Sequence, residues 1–287
     1  MDAMKTVNSL SGGKTSSYIA ANYPADYNVF ALVRTDDKSC MFPDAKIRQM
    51  VSDRIGTEFI GTLEMDDIIY TMFDLEQYIG QEIHWVSGMS FDKLVYSNDK
   101  VNMPNFRQRS CTSKLKVMPI AQFCYNEIGE TIEMRIGFRA NEMRRAKNIN
   151  EKLNKNGLTE DKIIIGKHKN GNNKWKTIAW RKPSYPLIND GIFKDDVEQY
   201  WKDKPIRFAY KNNCVGCYNR LPLFLNHMSK KEPNKFDWFL KVEQKSLSYK
   251  NMTWRDDVTY EQIKDYKTQL ELFDDDFNEC DSGYCGL

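Results

Sequence analysis

One stretch of this 287-residue chain limits its fold more than any other. Lys5 to Leu10 alternates and is rich in β-forming residues, Ser11-Gly12-Gly13 breaks the run, and Thr15 to Ala21 reads as the start of a helix. A strand that turns through glycine into a helix aims backbone amides, small hydroxyls and a helix N-terminus at one point, which is an anion cradle. Ser11, Gly12 and Gly13 let the backbone close on phosphate oxygens, Lys14 adds charge, and Thr15 and Ser16 offer hydroxyls. Gly13-Lys14-Thr15 also matches the end of a Walker A loop, but that motif needs a glycine where this chain has Asn8, still within the strand. Taken alone, one glycine-rich turn is also an ordinary strand-to-helix connection.

The pattern that follows extends the constraint. Asn28 to Val33 is a second apolar run closed by Arg34-Thr35-Asp36-Asp37, and Pro43 to Ile55 is helical with Ile47, Met50, Val51 and Ile55 on one face. Thr57 to Gly61 is read as a third strand, Asp67 to Tyr78 as a helix, Glu82 to Val86 as a strand, Lys114 to Asn126 as a helix and Thr131 to Phe138 as a strand. Such alternation predicts an α/β fold, a doubly wound and mostly parallel sheet covered on both faces, with ligands outside the carboxyl ends of its strands. After Phe138 come a polar helical segment, Asn141 to Lys155, and then Ile163-Ile164-Ile165 and Trp175 to Trp180 flanking Asn170-Gly171-Asn172-Asn173. This predicts a β-hairpin inserted after the sheet, at about 160–182. The chain divides into an α/β domain, 1–205, and a C-terminal region, 206–287, with a Cys-x-x-Cys segment, helices and an acidic, cysteine-containing tail.

Composition narrows the function classes. Forty-two Lys and Arg against 40 Asp and Glu give no global case for nucleic acid or membrane binding. A basic patch must be local, and one exists: no acid lies between Asp161 and Asp190, an interval with Lys162, Lys167, Lys169, Lys174, Lys176, Arg181, Lys182, Trp175 and Trp180. Basic and aromatic residues together can hold a nucleic acid; the same residues also suit a solvated hairpin whose tryptophans pack on the domain. At 41% hydrophobic the chain can bury a core, yet nothing approaches the roughly 20 apolar residues of a membrane span. With no secretory pattern at the start, the expected address is cytoplasmic, with no membrane partner and with reduced thiols. The seven cysteines then read as metal ligands, reactive thiols or core residues, Cys124 on its apolar helix being core. His84, His168 and His227 share no ligand spacing and read as structural or surface residues.

Several ordered motifs resemble one family. Ser11-Gly12-Gly13-Lys14-Thr15-Ser16 resembles the pyrophosphate loop of adenine-nucleotide α-hydrolase-like enzymes, usually Ser-Gly-Gly-x-Asp-Ser, with Thr15 where aspartate is common. Thr35-Asp36 with Phe42-Pro43-Asp44, Cys111 to Ile120, Gly137 to Arg145, and Tyr185 to Ile188 with Asp196, Val197 and Tyr200 are similar, in order, to segments of the phosphoadenosine phosphosulfate (PAPS) reductase family. Cys214-Val215-Gly216-Cys217 sits where that family has a later Cys-x-x-Cys. The resemblance covers roughly residues 5–220. It implies an adenine nucleotide (APS, that is adenosine phosphosulfate, PAPS or ATP) with adenine near Arg34, Thr35 and Asp36. Its phosphates would lie on Ser11 to Ser16, with Arg139, Arg144 and Arg145 opposite and Lys116 and Arg139 acting at the reacting group.

The cysteines carry further implications. Alone, Cys214-x-x-Cys217 suits a zinc knuckle, a redox pair or half of a cluster. Family members acting on APS hold a 4Fe-4S cluster with an early cysteine pair and the later Cys-x-x-Cys. This chain keeps Cys111, Cys214 and Cys217, with Ser110 where the first cysteine would be. The resemblance therefore implies a cluster either completed by Cys280, Cys285 or Cys40 or left with one open iron; zinc and plain structural thiols are the alternatives. Cys285-Gly286-Leu287 resembles the Glu-Cys-Gly-Leu-His tail that carries the family's nucleophilic thiol, with Tyr284 in place of the glutamate and no histidine. That implies Cys285 as nucleophile and Cys280 as resolving thiol, against the plain reading of idle cysteines in a frayed tail.

Three functions remain open at this point. One is sulfonucleotide reduction, with a thioredoxin-like or glutaredoxin-like reductant. Another is an ATP pyrophosphatase that, with Mg²⁺, adenylylates an acceptor such as RNA or DNA, held by the basic hairpin, for iron-sulfur-dependent sulfur transfer. The third is an inactive nucleotide-binding module, which the Thr15 and Ser110 departures allow. A homodimer is compatible with each.

Overall fold

The computed structural model describes residues 3–97, 100–105 and 109–267. Strand β1 (Thr6–Leu10) leads through the glycine turn into α1 (Lys14–Asn22), followed by β2 (Tyr27–Ala31) and a two-residue strand, β3 (Arg34–Thr35). Helix α2 (Ala45–Ile55) begins where the Asp44 carboxylate accepts the Lys46 and Ile47 amides, and ends at Gly56 in the left-handed region, φ 64°. Then come β4 (Gly61–Thr62), α3 (Asp67–Ile79), β5 (Ile83–Val86), α4 (Phe91–Val95), β6 (Tyr96–Ser97) and β7 (Lys100–Val101). A helical stretch from Ser110 to Ile128 contains α5 (Ser110–Thr112) and α6 (Met118–Phe123), with wider π-turns at Ser113–Val117 and Cys124–Ile128. The rest comprises β8 (Ile132–Arg135), α7 (Met143–Asn150), β9 (Thr159–Lys167), β10 (Asn173–Ser184), α8 (Pro186–Asn189), α9 (Lys194–Trp201), α10 (Pro222–Lys231), α11 (Pro233–Leu247) and α12 (Tyr260–Lys264).

Six strands form the central sheet in the order β5-β2-β1-β8-β10-β9, parallel throughout except for β9. Alternation along the strands sends side chains to both faces. Leu10 and Phe30 enter a cluster with Ala20, Val51, Ile69 and Trp201 of α1, α2, α3 and α9, while Val7, Val29, Ala31 and Met134 enter another with Ile120 of α6 and Ala146 of α7. The α/β expectation therefore holds: a mostly parallel sheet flanked by helices.

Two expectations are corrected. Thr57 to Gly61 is not a strand of the central sheet; only Gly61–Thr62 is extended, pairing antiparallel with Arg34–Thr35 in a separate small sheet. Phe59, within that segment, is buried in the cluster with residues of α1, α2 and α3. The hairpin β9–β10 is not an insertion after the sheet either. Arg181–Ser184 of β10 pairs parallel with Ile132–Arg135 of β8, so the hairpin forms the sheet's edge.

A third cluster joins the C-terminal helices to earlier chain: Val33, Leu63, Phe91 and Leu115 pack with Val215, Phe236, Phe239, Trp254 and Tyr260. Residues on both sides of the 205/206 division thus share one core. Among the described residues no helix is long and apolar enough to cross a membrane.

Candidate functional site

From β1 the chain moves one way across the sheet to β2 and β5, then returns to lay β8 on the other side of β1. The order reverses between β1 and β8, and the crevice outside their carboxyl ends is where sheets of this kind bind ligands. A cleft lies there, lined by Ser11, Gly13, Thr15 and Ser16 after β1, by Gly137, Phe138 and Arg139 after β8, and by Lys116, Glu142, Arg145, Asn212 and Asn213.

Local chemistry shapes the loop. Gly12 has φ 77°, and a Cβ there would lie 2.5 Å from Ile68 Cγ2, so both conformation and packing require glycine. The Ser11 amide donates to Ser16 Oγ at 3.1 Å, and Ser16 Oγ donates to the Gly13 carbonyl at 3.1 Å. Ser16 thus knits the loop together. Gly13 caps α1 with no side-chain hydrogen bond and no acid follows in the first turn, so the helix's first amides have no side-chain cap competing for them. A Cβ on Gly137 would come 3.6 Å from the Ser16 Cα, so the β8 loop closes directly on the start of α1.

Opposite the loop, Arg139 and Arg145 share one carboxylate. The Arg139 amide and Nε donate to Glu142 Oε2 at 2.9 and 3.1 Å, and Arg145 Nη1 donates to Oε1 while its guanidinium stands 4.0 Å from the Phe138 ring centroid. Burial alone would push the Glu142 carboxyl up, but the Arg139 amide and the two guanidinium charges outweigh it and hold the group below the usual carboxylate range. Lys116 Nζ donates to Glu64 Oε1 at 2.9 Å; Glu64 is 1% exposed, and its Oε2 makes no hydrogen bond. Three cations against two carboxylates leave one net positive charge beside the helix start, an arrangement suited to a compact anion.

The remaining expected residues are placed differently. Lys14 turns away from the cleft to pair with Glu198 of α9, a position fixed further by Trp201 Nε1 donating to the Lys14 carbonyl at 2.9 Å. Arg144 is exposed and does not line the cleft. Thr35 and Asp36 also lie outside it. Thr35 Oγ1 and the Asp36 amide donate to Asp92 at 2.6 and 2.7 Å, and the Asp36 carboxylate accepts from Arg34 and Ser90.

Sequence reasoning missed Asn212 and Asn213. A Cβ on Gly13 would fall 2.2 Å from Asn212 Nδ2, and Asn213 holds a left-handed backbone, φ 76°. Their only signal was position, immediately before Cys214. The C-terminal segment therefore supplies one wall of the cleft.

Cys111, Cys214 and Cys217 are thiols, not disulfides. Cys111 and Cys214 pack against the core cluster holding Val215 and Tyr218, and Cys111 Sγ lies 3.8 Å from the Tyr218 hydroxyl. Burial, with the nearby Cys111 and Cys217, raises the Tyr218 pKa. Among the described residues no three Cys, His, Asp or Glu side chains converge to hold one metal ion. Cys124 is buried, and burial pushes its thiol up to about 12, as befits a core residue. Cys40 is likewise buried, with its thiol pushed up to about 11. Cys280 and Cys285 lie outside the described residues. His84 packs beside Tyr27 and Phe123, His227 beside Tyr210, and His168 is exposed on the hairpin.

Compared with known proteins, the chain matches no family model and no curated sequence.

Proposed function

We propose that this protein binds an adenylyl nucleotide with its phosphates in the cleft between β1 and β8, and acts on it as a sulfonucleotide reductase-like enzyme. The observation that carries this reading is the helix start without a side-chain cap at the sheet's reversal point, facing Arg139, Arg145 and Lys116. The cleft's cavity volume is about 90 Å³, well below the roughly 300–1,000 Å³ of pockets that enclose whole drug-sized ligands. It suits a phosphate or phosphosulfate group, with ribose and base lying across the open mouth.

In this reading the loop amides hold the phosphate while Arg139, Arg145 and Lys116 balance the charge that collects on the departing adenosine phosphate. The Cys285 thiolate attacks the sulfo sulfur of APS or PAPS, forming an S–S bond as the sulfur–oxygen bond to the phosphate breaks. Cys280 then attacks the Cys285 sulfur, sulfite leaves, and a dithiol reductant returns the resulting disulfide to two thiols. The roles of these two thiols stand on the sequence.

The test is sulfite release from APS and from PAPS by protein purified without oxygen, with excess dithiol, comparing wild type with Cys285→Ser. Sulfite lost in the variant supports the reading. No sulfite from wild type discards it.

A second reading is favoured by Ser11-Gly12-Gly13, the usual opening of loops that hold β- and γ-phosphates in ATP pyrophosphatases. ATP would enter with Mg²⁺, an acceptor nucleophile would take the α-phosphate and pyrophosphate would leave. Pyrophosphate release from ATP that requires an added acceptor would select it over sulfite chemistry.

A further inference from the structure

A second pocket, of about 360 Å³, adjoins the nucleotide cleft and shares Phe138 and Arg145 with it. Its walls come from the start of the Ser110–Ile128 helical stretch, from α7 and from the base of the β9–β10 hairpin. Four cations line it, Arg109, Arg145, Lys152 and Arg181, against one acid, Asp161. Asp161 already accepts Trp180 Nε1 at 2.9 Å, and Arg181, 4% exposed, is held by the Thr159 hydroxyl at 3.0 Å. Arg145 is already paired with Glu142, so the other three cations against one acid leave an excess of two positive charges, which calls for an anion.

What lies beside the pocket indicates which anion. Arg181 and Asp161 belong to the hairpin, where residues 162–189 carry no acid. Lys162, Lys167, Lys169, Lys174, Lys176 and Lys182 are all exposed there. Trp175 is 48% exposed, and Lys176 stands over the Tyr125 ring at 5.2 Å. A partner with charges repeated along a chain and with flat bases matches this surface better than a single small anion does. We infer that the pocket is a phosphodiester subsite for a single-stranded nucleic acid that continues along the hairpin. A strand phosphate in it puts the neighbouring nucleotide beside the β1–β8 cleft. That role rests on the nucleotide reading above; the binding itself does not.

The test measures a labelled single-stranded oligodeoxynucleotide by fluorescence anisotropy across a salt series, with no ATP present, for wild type, Lys152→Gln, Arg109→Gln and Trp175→Ala. Binding of ATP and of APS is measured separately by calorimetry. Lys152 and Trp175 are exposed, so their variants keep the fold testable if Arg109→Gln does not fold. Wild type binds, with log affinity falling linearly in log salt; each cation variant lowers the slope by about one and weakens binding several-fold, while ATP affinity stays within about twofold. Variants that bind the strand like wild type overturn the inference, as does displacement of the strand by ATP alone, which would put it in the nucleotide cleft. A third overturning result is weakened binding of adenosine 3′,5′-bisphosphate, relative to adenosine 5′-phosphate, with strand binding untouched. That pattern assigns the pocket to a small nucleotide's second phosphate. Strand binding that responds to the variants in protein that binds neither ATP nor APS supports this inference and removes the nucleotide reading.

Discussion

The carboxamide of Asn212 lies directly on Gly13, so close that a Cβ there would stand 2.2 Å from Nδ2. Gly13 has an ordinary extended backbone, φ −100° and ψ 157°, so the close approach alone demands glycine. Gly13→Ala is expected to cost about 1–3 kcal/mol as an overpacking change. Adding Asn212→Gly removes the obstruction, so the pair should be non-additive by at least about 0.5 kcal/mol in urea denaturation. Additive losses would mean that the two residues do not meet.

Lys14 and Arg145 separate two ideas of how the cleft holds charge. Lys14 sits in the phosphate loop by sequence but pairs with Glu198, whereas Arg145 lines the cleft. Arg145→Ala should weaken nucleotide binding by about tenfold or more, the loss of one charge-assisted hydrogen bond, while Lys14→Ala changes it by less than about threefold. Calorimetric titration with ATP and APS compares them. The reverse order would mean that Lys14 leaves Glu198 for the ligand.

The contrast between these residues marks how much the sequence could tell. The strand, glycine turn and helix at 6–22 were legible because their pattern is local, and so was the parallel sheet, because its strands alternate with helices. Long-range pairing was not. Nothing in 173–184 announces that its last four residues join β8, and nothing at Thr57 to Gly61 shows that Phe59 is buried in the cluster with residues of α1, α2 and α3. Of the site, Ser11 to Gly13 could be read from the strand, glycine turn and helix, and Arg139 and Arg145 only through the family resemblance. Asn212 could not, because a polar doublet acquires its role only when the C-terminal segment folds back onto the loop. The pairing of Lys14 could not be read either, because Glu198 lies 184 residues away.

Glu64 and Lys116 form a buried pair, 1% and 12% exposed at their side chains. Glu64→Ala leaves the Lys116 charge without this carboxylate in the interior, and Lys116→Met leaves the carboxylate without this cation. Each should cost roughly 3–5 kcal/mol, and the double variant less than the sum of the two. Denaturant midpoints of the three variants check this.

Glu142 gives the cleft a pH signature. Its carboxyl lies below the usual range in the folded protein, so it contributes stability that is fully present above the unfolded value of about 4.3 and is lost as pH falls through the folded value. The stability difference between wild type and Glu142→Gln should therefore be constant from neutral pH to about 5 and shrink below it. A difference that grows on acidification would contradict the pairing with Arg139 and Arg145.

The most direct measurement is calorimetric titration of APS and of ATP into wild-type protein and into Gly13→Val, which places branched carbon where Asn212 now lies and narrows the cleft. Binding of at least one nucleotide by wild type, lost in Gly13→Val while circular dichroism shows the fold retained, is the expected result. Binding that Gly13→Val leaves unchanged, or no binding of either nucleotide by wild type, would contradict a phosphate site between β1 and β8.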